Sequence, residues 1–134
     1  ANPNENFSIA IGDIDFFKKV NDTYGHNCGD QVLKSLSDLF KEKTLGMGHV
    51  CRWGGEEFLF FFPGINLDHA SSIMSEINIA VSKSVITYKD LTLHVTMTFG
   101  VEENDFHSNI SEMVKRADDK LYYGKTHGRD TVIS

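Results

Sequence analysis

The sequence predicts an α/β fold of the α+β kind, with a mixed, mostly antiparallel central sheet flanked by helices. Three observations predict it. Apolar runs of strand length alternate along the chain with stripes of helical spacing, two such runs flank a glycine-containing turn, and 134 residues suit one domain with its own core. We therefore expect residues 1–134 to form a single domain of ferredoxin-like or polymerase-palm type.

The first third of the chain predicts one strand and two helical segments. Phe7–Gly12 is a short apolar run, which is typical of a buried strand. A helical turn is predicted over Phe16–Asn21, followed by a loop over Asp22–Asn27. An amphipathic helix is predicted from Asp30, because apolar residues recur at helical spacing at Val32, Leu33, Leu36, Leu39 and Phe40. This helix leads into the glycine-containing loop Thr44–Gly48.

A β-hairpin and a second long helix are predicted next. His49–Trp53 and Phe58–Pro63 are extended runs joined by a turn that contains two glycines. The first five residues of Phe58–Pro63 are all apolar, so we expect both faces of the sheet to be covered there. Apolar residues at helical spacing between Ala70 and Val85 predict the helix.

The last third predicts a strand, a helix and a short final strand. Leu91–Val101 alternates apolar residues with a polar face that is formed by Thr92, His94, Thr96 and Thr98. Asn109 and Glu112 have the spacing of a capping box, which would start a helix that ends near Gly124. Thr131–Ile133 is the final strand. The predicted order of elements is therefore β-α-α-β-β-α-β-α-β.

Charge and composition argue against several classes of function. The chain has 13 Lys and Arg against 19 Asp and Glu, and its net charge of −6 disfavours a nucleic-acid polymer as partner. No apolar run approaches the roughly 18 residues of a membrane span. We therefore expect no membrane contact by this domain and a cytoplasmic location. Cys28 and Cys51 are expected to be reduced thiols, and the six histidines lack the spacing of a zinc site.

Two acidic clusters are predicted to lie at the ends of strands. Asp13 and Asp15 follow the first strand, and Glu56 and Glu57 occupy the hairpin turn. If these strands are neighbours, the carboxylates converge, and a divalent cation would relieve their repulsion. Mg²⁺ prefers such hard oxygen ligands, together with substrate phosphates. Either cluster alone would be an ordinary acidic surface turn, but the two together favour metal binding.

Other residues suit a nucleotide. Free backbone N–H groups at the helix start over Phe16, Phe17 and Lys18 would bind phosphate oxygens, although both rings could simply belong to the core. Lys125 and Arg129 form a basic cluster after the last helix, where dipole complementarity is an equally simple explanation. Asn21 and Asp30 offer hydrogen-bond donors and acceptors that match guanine, although Asn and Asp are also ordinary residues in turns.

These residues together resemble a known family. Four separated blocks, in the same order, resemble the GGDEF domain, the catalytic domain of diguanylate cyclases, in its GGEEF variant. The resemblance runs from about Phe7 to the end of the chain. The blocks are Asp13–His26 (DIDFFKKVNDTYGH), Gly29-Asp30, Arg52–Phe58 (RWGGEEF) and the C-terminal residues Ala117, Asp118, Leu121, Tyr122, Lys125, Gly128 and Arg129.

The resemblance implies a nucleotidyl cyclase fold and the synthesis of cyclic di-GMP from two GTP molecules by a face-to-face homodimer. It also implies a role for each matched residue. Asp13, Glu56 and the Ile14 carbonyl would bind Mg²⁺ or Mn²⁺, and Glu57 would assist at the metal or the hydroxyl proton. Guanine would be read by Asn21 and Asp30. The phosphates would be held by the backbone of Phe16, Phe17 and Lys18 and by Lys125 and Arg129.

The resemblance carries expectations about regulation as well. The family's sensory partner lies upstream, and the opening Ala1–Asn4 is expected to be the cut edge of a longer chain. Many members bind their product at an Arg-x-x-Asp motif just before the glycine turn. Here the matching stretch, Leu45–Gly48, has no charged residue, so we expect no inhibitory product site. Departures from the family pattern at Lys120, Gly124 and Asp130 touch no inferred metal or guanine contact.

Three alternatives remain open at this point. A catalytically inactive relative would bind GTP or cyclic di-GMP as a regulatory module, but such members typically lose the metal carboxylate or the Arg-Gly-Gly turn. A different metal-dependent cyclase or polymerase palm should lack the guanine pair Asn21 and Asp30. An interaction domain without chemistry would have no reason to keep two acidic clusters beside a basic one.

Overall fold

A five-stranded sheet forms the centre of the molecule in the computed structural model, which describes residues 6–134. Its strands are β1 (Phe7–Ile14), β2 (His49–Arg52), β3 (Glu57–Pro63), β6 (Met97–Glu103) and β7 (Thr131–Ile133). They lie in the order β2-β3-β1-β6-β7, and every pairing is antiparallel except that between β6 and β7. The prediction of a mixed, mostly antiparallel sheet flanked by helices is confirmed.

Four helices and a small hairpin complete the fold. The helices are α1 (Phe17–Tyr24), α2 (His26–Lys43), α3 (Leu67–Lys83) and α4 (Ile110–Thr126). The predicted capping box of α4 is present, because Asn109 Oδ1 accepts from the Glu112 N–H and the Glu112 carboxylate accepts from the Asn109 N–H. A separate two-stranded sheet is formed by β4 (Ile86–Tyr88) and β5 (Leu91–Leu93).

Both faces of the sheet are covered, as the apolar β3 predicts. On one face, Phe58, Phe60 and Phe62 are fully buried in the core that α2 and α3 close, and the Phe40 ring meets two of them edge-on at 5.0 and 5.1 Å. On the other face the half-buried Leu59 and Phe61 pack beside α4 in a smaller cluster that also contains Ile9, Ile11, Met113, Ala117 and Leu121. The central strand β1 is thereby held between two apolar layers.

Three predicted boundaries are wrong. The loop expected over Asp22–Asn27 is reduced to Gly25, whose φ of 92° lets the chain turn between α1 and α2 in a single residue. The second long helix ends at Lys83, so that Ile86 is buried in a strand. The single strand expected over Leu91–Val101 is two strands, because β5 turns back on β4 and leaves the main sheet. Alternation of apolar and polar residues cannot distinguish these two arrangements. It indicates which face of a sheet each side chain occupies, but not which strand is the hydrogen-bonding partner.

Candidate active site

The pairing of β1 with β3 brings the two acidic clusters together. In this register Asp13 lies opposite Glu57, and Glu56 precedes β3 in the glycine turn. Asp13 lies inside β1, not after it as the sequence suggested, and only 3% of its surface is exposed. The predicted convergence of carboxylates is therefore confirmed for Asp13, Glu56 and Glu57, with Asp13 supplied by the interior of a strand.

Arg52 shapes the turn that carries the glutamates. Its Nε donates to the Gly55 carbonyl at 2.9 Å, and its Nη2 donates to the same oxygen at 2.6 Å. A longer bond at 3.3 Å reaches the Gly54 carbonyl. Gly54 and Gly55 have no side chains that could fix the turn. Arg52 orients the turn instead, because its guanidinium binds their carbonyl oxygens.

The negative charges of Asp13, Glu56 and Glu57 repel one another, and Lys125 lies among them. Burial raises the pKa of Glu56, and the neighbouring Asp13 carboxylate raises that pKa further, whereas Lys125 lowers it. Burial also raises the pKa of Glu57, followed by the charges of Asp118 and Asp13. Lys125 forms an ion pair with Asp13. A second cation would stabilise the ionised state of the remaining carboxylates.

The donor set fits a hard divalent cation. One carboxylate oxygen of Asp13, Oδ1, is buried and has no hydrogen-bond partner among the described residues. It lies beside Glu56, and carboxylate and carbonyl oxygens are what Mg²⁺ and Mn²⁺ prefer. Within residues 6–134, no three Asp, Glu, His or Cys side chains form a complete metal cluster. A cation here would therefore take its other ligands from the Ile14 carbonyl, from substrate or from water.

A cleft of about 460 Å³ brings the predicted metal and phosphate residues together. Its lining contains eight of the predicted site residues, namely Asp13, Ile14, Phe16, Phe17, Lys18, Glu56, Lys125 and Arg129. The lining thus contains the carboxylates of Asp13 and Glu56, the start of α1, and two C-terminal basic residues, of which Lys125 pairs with Asp13. The cleft can therefore hold a cation and an anionic group side by side.

The two phenylalanines at the start of α1 have different surroundings. Phe17 is buried, as a core residue would be. Phe16 is 61% exposed, has a left-handed backbone with φ 57°, and lies under the Arg129 guanidinium at 4.6 Å from its ring centre. The alternative that both rings simply belong to the core therefore holds for Phe17 but not for Phe16, whose ring lies against a cation.

The two predicted guanine residues lie outside this cleft. Asn21 is on α1 and Asp30 on α2, two helices that pack side by side. The Oδ1 atom of Asn21 is buried without a partner among the described residues and lies against Gly29. Asp30 is exposed and lines a neighbouring cleft of about 550 Å³ with Arg52 and Phe58. The structure thus brings the two residues onto one helix pair, outside the cleft that contains Asp13 and Glu56.

Asp15 is turned away from Asp13, Glu56 and Glu57. It is buried, and its carboxylate accepts hydrogen bonds from the Thr96 and Thr98 hydroxyls, each at 2.7 Å. The expectation that both members of the Asp-x-Asp pair converge on one cation is therefore not met. The sequence signal that could have indicated this role for Asp15 was the polar face of the strand predicted over Leu91–Val101, because that face contains both threonines.

The stretch that matches the product-binding motif follows α2. Leu45–Gly48 lies in a turn, Leu45 is 83% exposed, and Gly46 has a φ of 79°. No arginine occurs in this stretch or in α3. The expectation of no inhibitory product site stays a prediction.

Comparisons with known proteins agree on one family. Residues 1–131 match the family model described as diguanylate cyclase, GGDEF domain. Diguanylate cyclase A of Treponema denticola is 36% identical over 129 residues, which are 96% of this chain and 35% of that protein. The chain thus spans about a third of that relative's length.

Solved structures show the same fold. The GGDEF domain of DgcB from Caulobacter crescentus, in complex with c-di-GMP, superposes with a TM-score of 0.91 at 30% identity, over 96% of this chain and 77% of that one. The active GGEEF domain of a diguanylate cyclase from Vibrio cholerae superposes with a TM-score of 0.87 at 28% identity, over 96% of this chain and 82% of that one.

Proposed function

Because this chain belongs to the diguanylate cyclase GGDEF family, we propose that it condenses two GTP molecules into cyclic di-GMP and releases two pyrophosphates. The observation that carries the proposal is the convergence of Asp13 and Glu56 in a cleft that also contains Lys125 and Arg129. A metal-bound triphosphate requires this arrangement, since carboxylates bind the cation and basic groups bind the phosphate oxygens.

Asp13, Glu56 and the main-chain carbonyl of Ile14 would hold Mg²⁺ or Mn²⁺. When bound, the cation would neutralise charge on the phosphate oxygens and favour ionisation of the attacking hydroxyl. The unpartnered Oδ1 of Asp13 supports this assignment, because a buried carboxylate oxygen without a donor is costly unless something binds it. Glu57, opposite Asp13 in the sheet, would assist at the metal or accept the hydroxyl proton.

The rest of GTP would extend along α1. The backbone N–H groups of Phe16–Lys18, at the start of α1, would bind the β and γ phosphates together with the side chains of Lys125 and Arg129. Asn21 and Asp30 would accept hydrogen bonds from the N–H groups of guanine. Adenine has an acceptor at N1 where guanine has a donor, so we expect Asp30 to favour GTP over ATP by about tenfold or more, roughly 1.4 kcal/mol.

The reaction needs two copies of the domain, because each would hold one GTP. The 3′ oxygen of one nucleotide forms a bond to the α-phosphorus of the other. The bond from that phosphorus to the bridging oxygen of pyrophosphate breaks, and the hydroxyl proton passes to Glu57 or to water. A second, equivalent step closes the ring. Positioning and charge neutralisation are the main requirements of such phosphoryl transfer.

The domain would act in the cytoplasm, where GTP is available, under the control of an upstream regulatory domain. Its curated relative is about three times as long as the matched segment, which leaves room for such a domain there. Over residues 6–134, none of the helices is both long and apolar enough to cross a bilayer.

The test is to incubate the protein with GTP and Mg²⁺ and to separate the products by anion-exchange chromatography. Cyclic di-GMP with two pyrophosphates per molecule is the expected result, and Glu56→Ala is the inactive control. The same assay is repeated with an N-terminal coiled coil fused to enforce a dimer. GTP that binds to this fusion without turnover would contradict the proposal and favour a regulatory module that binds GTP or cyclic di-GMP.

A further inference from the structure

Asp15 is a buried carboxylate that the proposed metal site does not use. Its side chain is 1% exposed, and it accepts three hydrogen bonds. Two come from the Thr96 and Thr98 hydroxyls at 2.7 Å, and the third comes from the Asp130 backbone N–H at 2.9 Å. Burying an ionised carboxylate is costly unless donors surround it. Three donors from two separate parts of the chain therefore keep Asp15 in one orientation.

The third donor belongs to an unusual turn. Gly128, Arg129 and Asp130 all have positive φ, at 105°, 59° and 45°, although only the first is glycine. Residues other than glycine adopt this conformation only where neighbouring contacts enforce it. The hydrogen bond from the Asp130 N–H to Asp15 is such a contact. A further one is made by the side chain of Asp130, whose Oδ1 accepts from the Asn78 amide at 3.2 Å.

The turn determines where the Arg129 side chain lies. One guanidinium nitrogen of Arg129 is 4.0 Å from an Asp15 oxygen, and the guanidinium carbon is 4.6 Å from the centre of the Phe16 ring. Phe16 follows Asp15 directly and is itself left-handed, with φ 57°. Asp15 is thus the sequence neighbour of Phe16, the residue whose ring lies under the guanidinium. It is also hydrogen-bonded to Asp130, in the turn that carries Arg129.

We propose that Asp15 is a positioning residue that holds Arg129 over Phe16, so that the guanidinium and the N–H groups at the start of α1 face one phosphate group from two sides. This inference rests on the proposed function, in which the β and γ phosphates of GTP bind here. Asp15 itself touches neither substrate nor metal and acts through Arg129. A purely structural role for the same carboxylate would stabilise the fold without any link to Arg129.

A double-mutant cycle separates these two roles. The variants are Asp15→Asn, which keeps the shape and removes the charge, Arg129→Ala, and both together. The probe is the GTP analogue with a methylene group between the α and β phosphates, which cannot release pyrophosphate, titrated calorimetrically with Mg²⁺. Asp15→Asn should weaken binding at least fivefold in the wild-type background and less than twofold in the Arg129→Ala background. The same factor in both backgrounds would overturn the inference.

A second comparison uses GMP, which lacks the β and γ phosphates. Displacement of a fluorescent guanine nucleotide should show the same GMP affinity in wild type and Asp15→Asn, because Arg129 has no phosphate to hold there. A general distortion of the site would weaken both ligands and contradict the proposal. A wild-type chain that makes no cyclic di-GMP would overturn the proposed function instead, and one that binds no analogue would overturn both.

Thr96→Val provides the test if Asp15→Asn does not fold. It deletes one donor to the Asp15 oxygen that also accepts from Asp130 and leaves the charge in place. We expect a smaller loss of analogue affinity, about twofold, with GMP affinity unchanged. Thr87→Val, an exposed threonine on β4, is the matched control and should bind as wild type does. Wild-type affinity in a folded Thr96→Val would count against the inference.

Discussion

The substitution Gly29→Ala separates guanine recognition from the stability of the fold. Gly29 is buried in α2, and a Cβ there would lie 1.9 Å from Asn21 Oδ1 and 3.1 Å from the edge of the Phe17 ring. A carbon–oxygen contact needs about 3.3 Å, so the Asn21 oxygen must move about 1.4 Å or the side chain must change rotamer. The displaced atom is the unpartnered buried oxygen that the proposed function assigns to guanine.

The effects on stability nearly cancel, whereas the effect on binding does not. Alanine in place of glycine stabilises a helix by about 1 kcal/mol, and moving Asn21 off its rotamer costs about 0.5–1.5 kcal/mol. The free energy of unfolding should therefore change by less than about 1 kcal/mol. Losing one hydrogen bond to guanine costs about 1–3 kcal/mol, which corresponds to a loss in GTP affinity of roughly 5- to 150-fold.

The assay is a calorimetric titration with the α,β-methylene analogue of GTP, alongside thermal unfolding of the same samples. Ser75→Ala is the matched control, because it introduces an alanine at an exposed position of α3 and should leave nucleotide affinity unchanged. Asn21→Ala should lose about as much affinity as Gly29→Ala, and the double variant should lose no more than either. A folded Gly29→Ala with wild-type affinity would refute the reasoning.

Four further predictions concern the metal, pH, assembly and regulation. Glu56→Ala should abolish cyclic di-GMP synthesis while circular dichroism shows an intact fold, and turnover equal to that of wild type would contradict the metal assignment. Because the pKa of Glu57 is raised in the folded protein, its ionisation should destabilise the metal-free fold increasingly as the pH rises above about 4.5. The gain in the free energy of unfolding from Glu57→Gln, measured with urea, should therefore grow from pH 4 to pH 7. A gain that does not depend on pH would contradict the raised pKa. Specific activity should fall on dilution and recover on fusion to a coiled-coil dimeriser, whereas activity that stays constant through the monomeric range would exclude the two-copy mechanism. Cyclic di-GMP should show no submicromolar binding at Leu45–Gly48, because Arg is absent there, and a calorimetric titration mapped by substitution in this loop tests it.

Parts of the site could be predicted because their signals are local. The Gly-Gly turn with its two glutamates follows directly from residues 54–57, and the capping box of α4 needs only residues three apart, Asn109 and Glu112. The alternation of apolar runs and helical stripes indicated a mixed sheet. From that sheet, the meeting of Asp13 with Glu56 needed only the assumption that their strands are neighbours, which the pairing of β1 with β3 confirms.

Other features could not be predicted because they depend on contacts distant in sequence. Gly25 replaces a predicted six-residue loop because one left-handed glycine is enough to turn between two helices that pack together. The strand expected over Leu91–Val101 divides because β5 has a partner of its own in β4. Neither partner is specified by the period of the pattern.

The amino-acid sequence by itself determined the order of most elements, the family blocks and the types of chemical group at the site, since these are properties of neighbouring residues. The tertiary structure alone decided which way each carboxylate faces. Asp13 and Asp15 are indistinguishable in an Asp-x-Asp motif and both are buried, yet Asp13 lines the cleft beside Glu56 and Asp15 does not. The difference arises because two of the three donors to Asp15, the hydroxyls of Thr96 and Thr98, lie 81 and 83 residues further along the chain. Only the pairing of β1 with β6 brings them within hydrogen-bond distance.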